Sequence, residues 1–143
     1  DLADVVADEW TPISRVVGYA PRGDTPPIVS YDQDVAPVPN RGVDGPLPTW
    51  KDLGLGPQSI GYELTGPGHA LIIGGGGGRD IYNALTSRQR VDVIELNRKI
   101  REVVDGPLLK WSGAPYELPK RSILPSPSVR RPPSRSSAAT LVV

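Results

Sequence analysis

Five consecutive glycines, Gly74 to Gly78, follow the apolar run Ala70-Leu71-Ile72-Ile73 and lead into Arg79-Asp80, where a helical segment opens. Such a loop lets the backbone turn sharply and lets a ligand reach main-chain atoms with no Cβ in the way. The first turn of the helix behind it points N–H groups at the ligand, and Asp80 in that turn suits the helix dipole. A second apolar run, Val91-Asp92-Val93-Ile94, ends on Glu95, seventeen residues past Gly78. A carboxylate at the carboxyl end of a parallel strand can accept hydrogen bonds from both hydroxyls of a ribose. The chemistry is nucleoside binding, with Gly74, Gly75, Gly76, Gly78, Asp80 and Glu95 as its residues.

Strand, glycine loop, helix, strand and acidic residue make up the first half of a nucleotide-binding α/β sheet. The dinucleotide pattern G-x-G-x-x-G fails, because Arg79 stands where its third glycine would fall when counted from Gly74, and Ile81 when counted from Gly76. What fits is Gly74-x-Gly76-x-Gly78, the alternate-glycine spacing of class I S-adenosylmethionine-dependent transferases. An NAD-binding Rossmann module and a non-catalytic scaffold with a basic tail are the rival readings.

Taken together, IIGGGGGRD, VDVIELN and WSGAPYELP resemble the spermidine synthase-like (polyamine aminopropyltransferase) branch of the class I methyltransferase fold. Ile72, two residues before the first motif glycine, is apolar as in that branch. The resemblance runs well from Tyr62 to Pro119 and loosely from Trp10. It implies an incomplete Rossmann-like methyltransferase sheet with an N-terminal β extension. S-adenosylmethionine or its decarboxylated form would be the cofactor, used as a substrate without a metal, and a small-molecule amine would accept an aminopropyl or methyl group. Tyr62, in GYEL, would lie near that amine.

Two departures stand out. Gly77 replaces the acidic residue of the family's GGGDGG, and the acidic pair expected upstream of Tyr62 is absent, Pro57-Gln58 lying there instead. After Pro119 the family's third strand, adenine-contacting acidic segment and catalytic aspartate do not follow, so no catalytic residue is assigned. The sequence reads there as a changed reading frame or a premature end, a genuine basic tail being the rival explanation, and the chain alone is expected to catalyse weakly or not at all.

The flanks divide into an N-terminal segment, 1–57, and a tail, 119–143, around the cofactor-binding half, 58–118. In the first, Ile13 to Tyr19 and Ile28 to Tyr31 form a β-hairpin-like extension, a surface for homo-oligomer formation, while residues 1–9 specify little. An irregular Pro/Gly-rich connector runs from Asp32 to Pro57, pinned by Trp50. Ser59 to Leu64 reads as a short strand or turn. Asn97 is a good N-cap for a helix to about Val104, which Gly106-Pro107 ends. The three tryptophans read as packing anchors and His69 as a solvated edge residue. The tail, rich in Pro, Ser and Arg, has a disordered composition. Two parallel strands and two helices leave little apolar burial, so marginal folding is expected.

Composition narrows the field. Zero cysteines exclude disulfides and thiolate chemistry, and one histidine cannot build a metal site alone. The formal charge is zero, but all acidic residues precede Pro119 and five basic ones follow it, leaving an acidic body that argues against a nucleic-acid surface. No membrane segment or signal peptide is visible, and a cytoplasmic location is expected.

Overall fold

In a computed structural model of the chain, the described residues are 4–32, 34–49, 53, 57–65, 68–87, 90–118 and 139–142. The N-terminal part is a four-stranded antiparallel meander: β1 (Val5–Trp10), β2 (Arg15–Tyr19), β3 (Ile28–Tyr31) and β4 (Asp34–Pro37) in spatial order. The expected β2–β3 hairpin is present, with Gly18 opposite Val29 and Val16 opposite Tyr31. Its two outer strands were not anticipated: β1 lies in the segment read as unspecific and β4 inside the connector read as irregular. Between β1 and β2, the Thr11 hydroxyl accepts from the amides of Ile13 and Ser14 and donates to the Ser14 carbonyl, a side-chain turn that fixes the corner.

After the connector come α1 (Pro57–Thr65), β5 (His69–Ile73), α2 (Arg79–Ser87), β6 (Arg90–Ile94), α3 (Arg98–Asp105) and α4 (Leu109–Ser112), and β7 (Ala139–Val142) closes the order. The second sheet is parallel, in the order β6-β5-β7. Alternation along β5 and β6 buries Ala70, Ile72, Val91 and Val93 on one face, as a strand period of two requires.

Three expectations need correction. Ser59 to Leu64 is helical: Pro57 opens α1, where its fixed φ and missing N–H cost nothing, while Ile60, Tyr62 and Leu64 only imitate a strand's alternation. Within the tail, Ala139–Val142 pairs with β5; residues 119–138 and 143 lie outside the described residues. Trp10 is 77% exposed rather than an anchor. Trp50 also lies outside the described residues.

The two sheets share one core. Val16 and Val29 from the meander pack with Ala70, Ile72, Ile81, Val93, Ile100 and Val104. Gly18 makes this possible, since a Cβ there would lie 2.7 Å from Val103 Cγ1 on α3. The extension is therefore part of the folded body, and the parallel sheet has three strands instead of the two expected. Among the described residues, no helix is long and apolar enough to cross a membrane, and no group of three or more His, Cys, Asp or Glu could hold a metal ion.

Candidate functional site

The crossover α2 carries the chain from β5 to β6 on one side, and β7 pairs with the opposite side of β5. The strand order thus reverses at β5, and in open α/β sheets ligands bind outside the carboxyl ends of the strands at such a point. The carboxyl end of β5 is Ile73, and the glycine run starts at the next residue.

Gly74 N–H donates to the Ile94 carbonyl (2.8 Å), tying the loop to the end of β6. The alternate glycines have a backbone reason: Gly74, Gly76 and Gly78 take φ of +79°, +49° and +92°, values that side chains with a Cβ rarely adopt. Around Gly74 nothing lies within 4 Å of where a Cβ would stand, so this is the open face of the loop. Gly78 closes a tight turn to the Gly75 carbonyl and then accepts the first α2 bond from Tyr82 N–H.

Glu95 is drawn into this loop. Its Oε2 accepts from Gly76 N–H (3.1 Å) and its Oε1 from Asn97 N–H (2.9 Å). A carboxylate offers about four acceptor positions, so two protein donors hold it in place and leave acceptor capacity for ligand hydroxyls. The predicted cap is also present: Asn97 Oδ1 accepts from Lys99 N–H, and its Nδ2 donates to Ser14 Oγ (2.9 Å) and Thr11 Oγ1 (3.3 Å). The buried Asn97 side chain therefore caps α3 and fastens the β1–β2 corner, while the backbone N–H of the same residue holds Glu95. Asn97→Ser keeps a capping oxygen but removes the Nδ2 donors. It is expected to cost about 1 kcal/mol, seen as a melting temperature lowered by roughly 4 °C.

Beside the loop lies a cavity of about 230 Å³ lined by Tyr31, Val35, Ala36, Pro37, Gly74 to Gly77, Arg79 and Asp80. A second cavity of about 430 Å³, lined by residues that include Pro26, Val38, Pro39, Leu53 and Arg79, shares Pro37 and Arg79 with it. Burial raises the Asp80 carboxyl above its ordinary value, opposed by a hydrogen bond with Asn83 and by the Arg79 charge. Tyr31 is raised chiefly by burial, then by Asp34 and Glu95.

Of the residues expected from the sequence, Gly74, Gly75, Gly76 and Asp80 line the first cavity, Glu95 is bonded to the loop through Gly76 N–H, and Gly78 lies against Pro115 where the loop enters α2. Tyr62 is not among them: it is buried in the core on α1 and lines neither cavity. His69 is not a free edge residue, because its Nε2 lies 2.6 Å from Asp92 Oδ2 on the central strand pair. Tyr31, the β4 backbone and Tyr116 were missed. Tyr116 hydroxyl donates to the Gly76 carbonyl (2.8 Å), a contact across 40 residues that no local pattern announces.

No family model and no curated protein sequence matches the chain. Among solved structures the chain is similar to spermidine synthase from Thermotoga maritima, at 18% identity and a TM-score of 0.47, covering 76% of this chain and 36% of that one. The same values relate it to a spermidine synthase in complex with the transition state analogue AdoDATO, so the chain spans about a third of the length of the structures it matches.

Proposed function

We propose that this chain carries the nucleoside-binding part of a spermidine synthase-like transferase, a site for S-adenosylmethionine or its decarboxylated form. The reading rests above all on one arrangement: Gly76 N–H bonded to the Glu95 carboxylate, beside the open face of Gly74 at the strand-order reversal. In the proposed site, Glu95 accepts from the ribose hydroxyls while the loop lets the adenosyl and amino-acid portions approach main-chain atoms. Asp80 contributes negative charge near the sulfonium end.

In the reaction class, an amine nitrogen attacks the carbon next to the sulfonium. The C–N bond forms, the C–S pair leaves with the thioether, and the new ammonium loses a proton. That chemistry needs alignment and a deprotonated amine. No residue is assigned as the base, and the proposed acceptor, a small-molecule amine, has no assigned pocket because Tyr62 faces the core. We therefore propose that this polypeptide by itself binds nucleoside better than it catalyses transfer.

Thermal melts of the purified chain test this. 5′-Methylthioadenosine or S-adenosylmethionine at about 100 times its Kd should stabilise by about 2.7 kcal/mol, and Glu95→Gln should abolish the ligand-induced increment whatever its own baseline. No increment in a folded sample rejects the proposal. A larger increment with NADH transfers the site to the dinucleotide class.

A further inference from the structure

Tyr116 reaches the glycine loop through an unusual turn. Gly113 (φ +69°) and Ala114 (φ +54°) are both left-handed, and this reverses the chain after α4. The turn is held from three directions: Arg41 Nη1 donates to the Gly113 carbonyl (3.0 Å), Ser112 Oγ donates to the Val104 carbonyl (2.7 Å), and Ala114 N–H donates to Ser112 Oγ (3.2 Å). A left-handed alanine is strained, and such strain persists only where the surroundings over-determine it.

The reversal lays Pro115 and Tyr116 on the loop. Added Cβ atoms at Gly78 and Gly75 would lie 2.5 Å from Pro115 Cγ and 2.7 Å from Tyr116 Oη. The Tyr116 side chain is fully buried, and burial, then the Glu95 charge, raises its hydroxyl well above the ordinary tyrosine value. It therefore stays a neutral donor with one proton to give. Gly76 carbonyl at 2.8 Å and Glu95 Oε2 at 3.5 Å compete for it, and geometry favours the carbonyl.

We infer that Tyr116 is a positioning residue for Glu95: its hydroxyl holds the Gly76–Gly77 peptide by the Gly76 carbonyl, Gly78 N–H holds the preceding peptide by the Gly75 carbonyl, and Gly76, fixed from both sides, keeps its N–H on the carboxylate that takes the ribose. This deepens the nucleoside-binding reading and rests on it. Glu95 has two main-chain donors, Gly76 N–H and Asn97 N–H. The second belongs to the start of α3, whereas the first belongs to a loop of glycines that can reorient. Without the tyrosine hydroxyl, the Gly76 carbonyl loses its buried donor, and Gly76 is then held only from the side of the Gly75 carbonyl, free to turn about its own backbone angles.

Calorimetric titration of the full chain with adenosine and with 2′,3′-dideoxyadenosine tests the inference through Tyr116→Phe, which deletes one oxygen and keeps the ring. The wild type should prefer adenosine. In the variant, adenosine should bind about tenfold more weakly, as loss of a hydrogen bond of about 1.4 kcal/mol implies, while dideoxyadenosine binding stays unchanged. Equal weakening of both ligands means a packing role only and overturns the inference, as does an unchanged preference. A wild type that binds both equally, or neither, instead overturns the ribose reading beneath it. Hydrogen exchange of the wild-type chain gives a measurement independent of variant folding: the Gly76 amide should be protected, and fast exchange there overturns the inference.

Discussion

Gly77→Asp should destabilise this chain by more than about 3 kcal/mol, enough to abolish a cooperative thermal transition or lower its midpoint by more than about 10 °C. The reason is the β4 backbone. A Cβ on Gly77 would lie 2.5 Å from the Pro37 carbonyl oxygen, 3.0 Å from its carbon and 3.2 Å from the Ala36 oxygen. These atoms cannot retreat easily, because Ile28 pairs with Pro37 and Val29 with Ala36, and Val38 N–H is bonded to the Pro27 carbonyl at 2.8 Å. An aspartate would also press a carboxylate against two carbonyl oxygens. Gly77→Ala should share most of the loss, since the first added carbon already collides. Gly74→Ala meets no atom within 4 Å and should cost only the left-handed backbone strain, about 1–2 kcal/mol. Circular-dichroism melts of the three variants check the ranking; a Gly77→Asp chain as stable as wild type would mean that β4 does not lie against the loop.

Gly77 also marks the limit of what the sequence disclosed. From β5 through the glycine loop, α2 and β6 to Glu95, each signal is local: an apolar run, a glycine cluster, a helix start and a strand ending in an acid. These signals survive folding because the segment is the centre of the parallel sheet. The cap at Asn97 was legible for the same reason, but not its bonds to Ser14 and Thr11, which lie more than 80 residues away in sequence. The strands β1 and β4 were hidden by being edges. VVADEW faces solvent along most of its length, and DVAP ends in a proline that only an edge or a strand terminus accepts.

The strand β7 was obscured differently. Ala-Thr-Leu-Val is an acceptable β segment, but it sits in a stretch whose composition carries no core signal, and it becomes a strand by pairing with the open side of β5. The partners of the glycine loop come from two distant parts of the chain, Tyr31 and Pro37 from the β3–β4 hairpin and Tyr116 from the turn after α4. The need for glycine at 75 and 77 was visible, whereas what presses against them was a property of the tertiary structure.

Stability should fall as pH rises from about 4 to about 7, and Asp105→Asn should remove most of that fall. Asp105 ends α3. Its Oδ1 accepts weakly from Tyr116 N–H at 3.5 Å, and its buried Oδ2 has no hydrogen-bond partner among the described residues. Burial raises the carboxyl from 3.8 to about 7, against the hydrogen bond from Tyr116 and with help from the Glu117 charge. The folded state therefore holds a proton that the unfolded chain releases near pH 4. Between the two values the folded state binds more protons, so stability declines with pH and reaches a lower plateau above about 7. Full conversion of that displacement would be about 4 kcal/mol; because Asp105 is only half-buried, solvent screening reduces the expected cost to about 2 kcal/mol. Asp80, also raised by burial, adds in the same direction. The exposed Glu102 and Asp8, lowered by Lys99 and Arg15 respectively, oppose it weakly. An asparagine keeps an oxygen for Tyr116 N–H and removes the buried charge. Melts of wild type and Asp105→Asn should therefore nearly coincide at pH 4 and separate by roughly 8 °C at pH 8, the variant being the more stable. An equal separation at both pH values would assign the gain to packing, and no separation at pH 8 would mean that the carboxylate finds water or a cation in solution.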